Sequence, residues 1–185
     1  MSLFLEEFNT AKSEISDINE HLDTLYEFAS DCEHITEMGT RFGNSTIAFL
    51  HSNPKKLISY DLNIWDNVTD LFTKSKSNGK DYHYEVGDTE VLVIEDTDLL
   101  FIDTSHTYLQ LQIELKLHGN KAKKYIILHD TTTYGEVDEP GQKYTGQGEK
   151  SGLNPAVDEF LEENSQWQVV INKTNNNGLT ILKRI

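Results

Sequence analysis

The chain has a single cysteine, Cys32, in 185 residues. That excludes an internal disulfide and any cysteine-based zinc cluster, and leaves Cys32 to be read as a small, partly buried residue. Basic residues are scarce, 16 Lys and Arg against 31 Asp and Glu, for a net charge of −15. A surface that negative repels phosphate backbones and anionic lipid, so no nucleic acid and no membrane is expected as a partner. The cluster Lys121, Lys123 and Lys124 is too short to reverse this. No stretch approaches the length of a transmembrane helix. The opening "MSLFLEEF" lacks the basic region and long apolar core of a signal peptide, which points to a cytoplasmic protein. Repeats and linkers are also missing. What is present, 37 % hydrophobic and 10 % aromatic residues, suits one folded domain with a substantial core.

The hydrophobic pattern switches repeatedly between helical and extended periods. Ile15, Ile18, Leu22, Leu25 and Ala29 recur at three- and four-residue spacing and predict an amphipathic N-terminal helical segment, residues 1–33, packed on the domain. Residues 34–185 then alternate. "HITEMG" (34–39), "KLISYD" (56–61), "YHYEVGD" (82–88), "DLLFIDTS" (98–105) and "KYIILHD" (124–130) read as strands, with helices to about His51, near 66–75 and from Tyr108 to His118. Asn154-Pro155 starts another helix. "WQVVINKT", the turn "NNNG" and "LTILKRI" close the chain as a β-hairpin. Residues 134–153 hold five glycines and little apolar matter, so they form a long loop, expected to be mobile and to close over a ligand. The alternation implies an α/β fold with a doubly wound, mostly parallel sheet and one antiparallel strand from the hairpin. Ligands of such sheets bind at the carboxyl ends of the strands.

Acidic residues fall at those ends. Glu37, Asp61, Asp88, Asp103 and Asp130 each come at or near the end of a predicted strand. One such acid is unremarkable as a cap, but five would line one edge of the sheet. In "ITEMGTRFGNSTIAFL" (35–50) a strand turns over Gly39 and Gly43 into a helix opened by Ser45 and Thr46, where backbone amides and a helix N-terminus can meet a charged small molecule. Arg41 stands where a dinucleotide-binding loop needs its second glycine, which argues against NAD or FAD. A ligand without phosphates, bearing a ribose and an amino acid, fits better, with Asp61 accepting from the ribose hydroxyls.

"EMGTRFGNST", "SYD", "GD", "LLFIDTSHTY" and "YIILHDTT", in this order, resemble the class I S-adenosylmethionine-dependent methyltransferases. Within them the chain is most similar to the cephalosporin-hydroxylase-like branch, which includes metal-dependent sugar O-methyltransferases. The resemblance covers roughly residues 34–185. It implies a Rossmann-like seven-stranded sheet with a reversed last strand. It also implies methyl transfer from S-adenosylmethionine to a hydroxyl of a sugar or small natural product. Glu37, Gly39 and Gly43 would then surround the methionine part of the cofactor, with Ser45 near its carboxylate, Asp61 on the ribose and Asp88 near the adenine. Asp103 and Asp130 would hold a divalent cation such as Mg²⁺, which takes oxygen ligands and keeps much of its water. The third oxygen ligand of catechol-type relatives falls on Thr131. His106 falls where those relatives place a lysine base, and a neutral imidazole is a reasonable acceptor near pH 7. His129 could bind the metal, contact the substrate or satisfy a hydrogen bond at the strand end; the last is expected, because a residue adjacent to Asp130 on a strand points to the opposite face. That expectation also weakens the alternative of an iron hydroxylase using His106, His129 and Asp130. A further alternative is a cofactor-binding module without catalysis. Phe101, Tyr108, Trp65 and Trp167 are expected in the core, and Tyr134 near the substrate.

Overall fold

The computed structural model describes residues 2–185. It is a seven-stranded sheet in the order β3-β2-β1-β4-β5-β7-β6 with helices on both faces. The strands are β1 (His34–Met38), β2 (Lys56–Asp61), β3 (Asp81–Val86), β4 (Thr97–Ile102), β5 (Ala122–His129), β6 (Trp167–Lys173) and β7 (Leu179–Arg184). β1 to β5 are parallel; β7 runs antiparallel to both β5 and β6. The fold class and the reversed hairpin strand are therefore as the sequence implies. The order reverses between β1 and β4, and that switch point is where such sheets open a crevice.

The central strands are apolar because both faces are covered. In β4, Leu99, Leu100 and Phe101 are all fully buried, and neighbouring β5 repeats the pattern with Ile126 and Ile127. One face packs α3 (Asn44–Ser52) and the N-terminal helices; the other packs α5 (Tyr108–His118) and α6 (Asn154–Glu163). Phe101 and Trp167 are core residues, as expected, and Tyr108 is buried too.

The N-terminal segment corrects one expectation. It is two helices, α1 (Leu5–Ser13) and α2 (Leu22–Ala29), not one continuous amphipathic helix. Ile15 lies fully exposed in the break, while Ile18, Leu22, Leu25 and Ala29 are buried against the domain. The periodicity across Ile15 was accidental: Ser13, Ser16 and Asn19 turn the chain there, with the Asn19 side chain accepting from Ser16 N and donating to the Lys12 carbonyl.

Gly39 ends β1 with a positive φ of 85°, and a Cβ there would lie 1.9 Å from the Asp103 carbonyl oxygen. The cofactor-loop candidate and the end of β4 thus touch backbone to backbone. Gly79 also has positive φ (62°) but faces open space. Gly39→Ala is expected to lower unfolding stability by at least ~3 kcal/mol through backbone strain plus the clash, and Gly79→Ala by only about 1 kcal/mol. Urea denaturation of the two variants side by side checks this; equal losses would mean the close approach relaxes freely.

Candidate active site

A cavity of about 590 Å³ lies across the carboxyl ends of the parallel strands. Its wall is built from the turns after β1 (Gly39 to Phe42), β2 (Asp61 to Asn63) and β3 (Gly87 to Glu90), and from Asp103 to His106 and Asp130 after β4 and β5. Asp17 and Ile18 from the N-terminal segment and Glu139, Gln142 and Lys143 from the long loop complete it.

At one end stands Asp61. Its Oδ2 accepts from Thr40 N (3.0 Å), Thr40 Oγ1 (3.0 Å) and Arg41 N (3.1 Å), while Oδ1 accepts only from Asn63 N (3.0 Å). Burial opposes its charge, but these donors outweigh it and hold the carboxyl below its usual range. Oδ2 is saturated and shapes the glycine turn; Oδ1 keeps acceptor capacity toward the cavity. Asp88 lines the same end and caps its own turn through Glu90 N.

Glu37 and Ser45 are arranged differently from a simple cofactor wall. Glu37 is fully buried under the turn, and its carboxylate accepts from Ser45, Thr46 and Ser59 hydroxyls. Burial is the larger influence and pushes its pKa up to about 7 despite those donors. The Ser45 hydroxyl is committed to Glu37, and Gly43, the left-handed residue before α3, packs on Leu71 and Val68. Of the four residues, Gly39 and Ser45 border the cavity, with Glu37 bracing the turn from beneath.

At the other end, five titratable groups converge. His106 Nε2 lies 3.2 Å from Asp103 Oδ1 and 2.9 Å from Asp130 Oδ2, and His106 Nδ1 is 2.9 Å from Glu139 Oε2. His129 Nδ1 lies 3.2 Å from Asp130 Oδ2 and 3.4 Å from Asp103 Oδ2. Strand alternation fails for His129 because Asp130 adopts a left-handed φ of 60°, which turns its carboxylate back beside the ring. His129 therefore does not face away, and it joins Asp103 and Asp130 as a third group able to hold a metal ion. Burial opposes charge on both imidazoles. The neighbouring carboxylates outweigh it, pushing His106 to about 10 and His129 to about 11. Asp103, half-buried, and Asp130, buried, both face those rings and are correspondingly held below the usual carboxylate range. Thr131 turns away from the cluster, its hydroxyl accepting from Thr180.

The long loop lies over this site. Asp138 staples its base, its carboxylate accepting from Tyr108 N at the start of α5 and from Gly146 N and Gly152 N. Glu139 N donates to the His106 carbonyl. At the tip, Lys143 and Tyr144 meet Glu90 beside the Asp88 turn. Tyr134 stacks on His106, ring centroids 5.0 Å apart and 5° from parallel. Sequence reasoning missed Glu139, Glu90 and Thr40, and assigned Trp65, a cavity-lining residue, to the core. Glu139 was findable only as an acid within a loop already read as functional.

No protein-family model matches the sequence, and no curated sequence relative matches it. Solved structures do. An O-methyltransferase from Bacillus cereus in complex with S-adenosylhomocysteine (SAH) superposes with a TM-score of 0.67 at 14 % identity, covering 98 % of this chain and 90 % of that one. A candidate caffeoyl-CoA O-methyltransferase from Staphylococcus aureus gives 0.66 at 17 %, covering 100 % and 93 %. The N-terminal domain of EvdMO1, determined in the presence of SAH and D-fucose, gives 0.53 at 14 %, covering 92 % and 83 %. Among the described residues no helix is long and apolar enough to cross a membrane.

The loop staple generates a direct expectation. Asp138→Ala strands three backbone N–H donors, so amides of residues 138–152 should exchange with solvent at least tenfold faster than in wild type, since a hydrogen bond to a charged acceptor contributes ~1.5–3 kcal/mol. Unchanged exchange would show that the loop is held by other means. The chain has the Rossmann-like α/β fold of the S-adenosylmethionine-dependent methyltransferases.

Proposed function

We propose that the protein is an S-adenosylmethionine-dependent O-methyltransferase acting on a hydroxyl of a small polar molecule, with a divalent cation assisting. The observation that carries this reading is the juxtaposition within one cavity of Gly39, Asp61 and Asp88 at one end with Asp103, His106 and Asp130 at the other. The fold and the SAH complexes of structures sharing it support the cofactor assignment. So does the acidic lining, which favours a sulfonium cation.

Asp61 Oδ1 is the acceptor for the ribose hydroxyls, Asp88 borders the adenine, and the Gly39 turn takes the methionine portion. S-adenosylmethionine supplies the methyl group when bound. The residues fit a cation as well: Asp130 Oδ1 and His129 Nδ1 are buried without a hydrogen-bond partner beside two clustered carboxylates. Asp103 and Asp130 would hold it, and its chemistry would be to acidify the acceptor hydroxyl.

His106 holds the proton released by that hydroxyl. Glu139 fixes the ring through Nδ1, so Nε2 is the atom that faces the acids and the cavity. With Asp103 and Asp130 holding a cation, Glu139 alone would favour the charged ring, and Nε2 would be free to accept a proton. The loop carrying Glu139 and Lys143 excludes water from this end. Asp17, Arg41, Gln142 and Lys143 border the cavity and suit a hydroxyl-rich acceptor such as a sugar. The D-fucose present with EvdMO1 favours the same class. The hydroxylase alternative wants two imidazoles and one carboxylate; here the three clustered groups are one imidazole and two carboxylates, and His106 is turned onto Glu139.

Asp61→Ala is expected to weaken SAH binding at least tenfold in isothermal titration, given ~1.5–3 kcal/mol for each bond to a charged acceptor. An unchanged titration would remove the cofactor assignment. His106→Ala is expected to leave SAH affinity within about twofold while methyl transfer, followed as SAH release with a panel of sugar and catechol acceptors, falls roughly 100-fold or more. Wild-type turnover in that variant would leave the proton without its assigned acceptor.

A further inference from the structure

The cluster contains a nitrogen whose environment has no counterpart in an all-oxygen magnesium site. His129 Nε2 lies 3.2 Å from the carbonyl oxygen of Asn176. A carbonyl only accepts, so Nε2 carries a ring proton, and the ring that gives up its second proton presents a lone pair at Nδ1. That lone pair is buried, 3.2 Å from Asp130 Oδ2 and 3.4 Å from Asp103 Oδ2, and neither oxygen lies in line for a hydrogen bond. Asp130 Oδ1 is buried without a partner as well. A lone pair beside two carboxylates is repulsive unless a positive charge lies among them. A proton on Nδ1 would point squarely at neither oxygen, whereas one ion between the three groups contacts all of them. The separations suit that: ligands ~2.1 Å from an octahedral ion stand roughly 3 Å apart at adjacent corners.

We infer that His129 Nδ1 is a third protein ligand of the cation, so that the site selects a first-row transition ion such as Fe²⁺, Co²⁺ or Zn²⁺ over Mg²⁺. This rests on the cation reading above and sharpens it. Imidazole is a good ligand for those ions and a poor one for Mg²⁺, which prefers oxygen and water. His106 is set apart by its hydrogen bonds: Nδ1 pairs with Glu139 and Nε2 with Asp103, so neither nitrogen lacks a partner as His129 Nδ1 does.

The surroundings of His129 are those of a metal-bound histidine. Such rings donate their second N–H to a fixed acceptor, which sets the tautomer and the ring's direction. Here the acceptor belongs to the turn between β6 and β7, where Asn176, Asn177 and Gly178 all have positive φ. The N-terminal segment grips that turn. His21 Nε2 reaches the carbonyls of Asn175 (3.0 Å) and Asn176 (3.2 Å), Glu20 N donates to Asn176 Oδ1 (3.0 Å), and Asn176 Nδ2 donates to the Ser16 carbonyl (2.9 Å). The other side of the turn clamps the backbone just beyond Asp130: Thr132 N and Thr133 N both donate to the Asn177 carbonyl. One turn thus fixes the imidazole and the aspartate together. Asn176 acts through its carbonyl as a positioning residue.

The test uses the full chain stripped of metal by a chelator, then titrated calorimetrically with Co²⁺ and with Mg²⁺, without cofactor. Co²⁺ is expected to bind at least about tenfold more tightly. Proton NMR of the Co²⁺ form should show a far-shifted, solvent-exchangeable resonance from the Nε2–H of a coordinated imidazole. That resonance should vanish in His129→Asn and persist in His106→Asn. The wild-type preference and resonance need no variant, so a poorly folded His129→Asn leaves the inference exposed. Equal affinities with no shifted resonance would overturn the His129 role and leave the two-carboxylate cation standing. A resonance lost only in His106→Asn would assign the nitrogen to the wrong ring. Failure of both ions to bind would remove the cation and this inference together.

Discussion

Two carboxylates, Asp103 and Asp130, sit at the ends of adjacent parallel strands, and the cost of holding those like charges together in a largely buried site organises the molecule around them. In water the pair would separate; at the end of a closed sheet it cannot. Each neighbour supplies positive charge or a dipole. His106 reaches in from the β4 side, His129 from the end of β5, and both rings are driven toward the charged form by the same acids that they stabilise. Glu139 takes the far nitrogen of His106, the Asn176 carbonyl takes that of His129, and so two distant segments are drawn to the strand ends. A cation bound in the cluster, as proposed, would release protons, because it would compete with them for the same carboxylate oxygens and ring nitrogen.

The opposite end of the cavity is connected to this cluster through backbone, not charge. Gly39 lies so close to the Asp103 carbonyl that no side chain is tolerated between them. Glu37 beneath the turn is held by three hydroxyls, while Asp61 above it takes Thr40 N and Arg41 N. The turn is clamped from both sides before any ligand arrives. A methyl donor seated on that turn, as proposed, would be registered against the acids within the tolerance of packed backbone, which is what an in-line transfer requires of its protein.

Most of the sheet could be read in the sequence, because β2 and the helix Asp66–Ser75 (α4) carry unbroken periodic patterns bounded by Pro, Gly or Asn. Strand-end acids were legible for the same reason: the end of a buried strand is marked by the first charged residue. Two kinds of information were not. Ile15 fitted the spacing of the N-terminal helical face yet lies in a break, since periodicity cannot register that Ser and Asn side chains turn the chain locally. The direction of His129 followed from alternation only while Asp130 was assumed to be extended, and a left-handed aspartate imposed by the Asn-rich turn on a distant hairpin is invisible to local pattern. Glu139 was hidden because its partner, His106, lies 33 residues earlier.

The long loop, expected to be mobile from its glycines, is held very unevenly, and that distribution matters more than its length. At the base, buried Asp138 accepts from three backbone amides and caps α5, so lifting it would break three bonds to a charged acceptor, two of them buried. At the tip, the well-exposed Lys143 pairs with the largely buried Glu90, which also accepts from the Tyr144 hydroxyl. Gly141 and Gly146 both have positive φ and open space around their Cα atoms, bracketing the tip. Residues between them are held to the rest of the domain by side-chain contacts, Lys143 and Tyr144 to Glu90 and Gln142 to Ser105, while Glu139, beside the staple, keeps its hold on His106. Access to the cavity and orientation of the imidazole are thus assigned to different parts of one loop, and the part that must move for ligands to exchange is the part that side-chain contacts alone restrain.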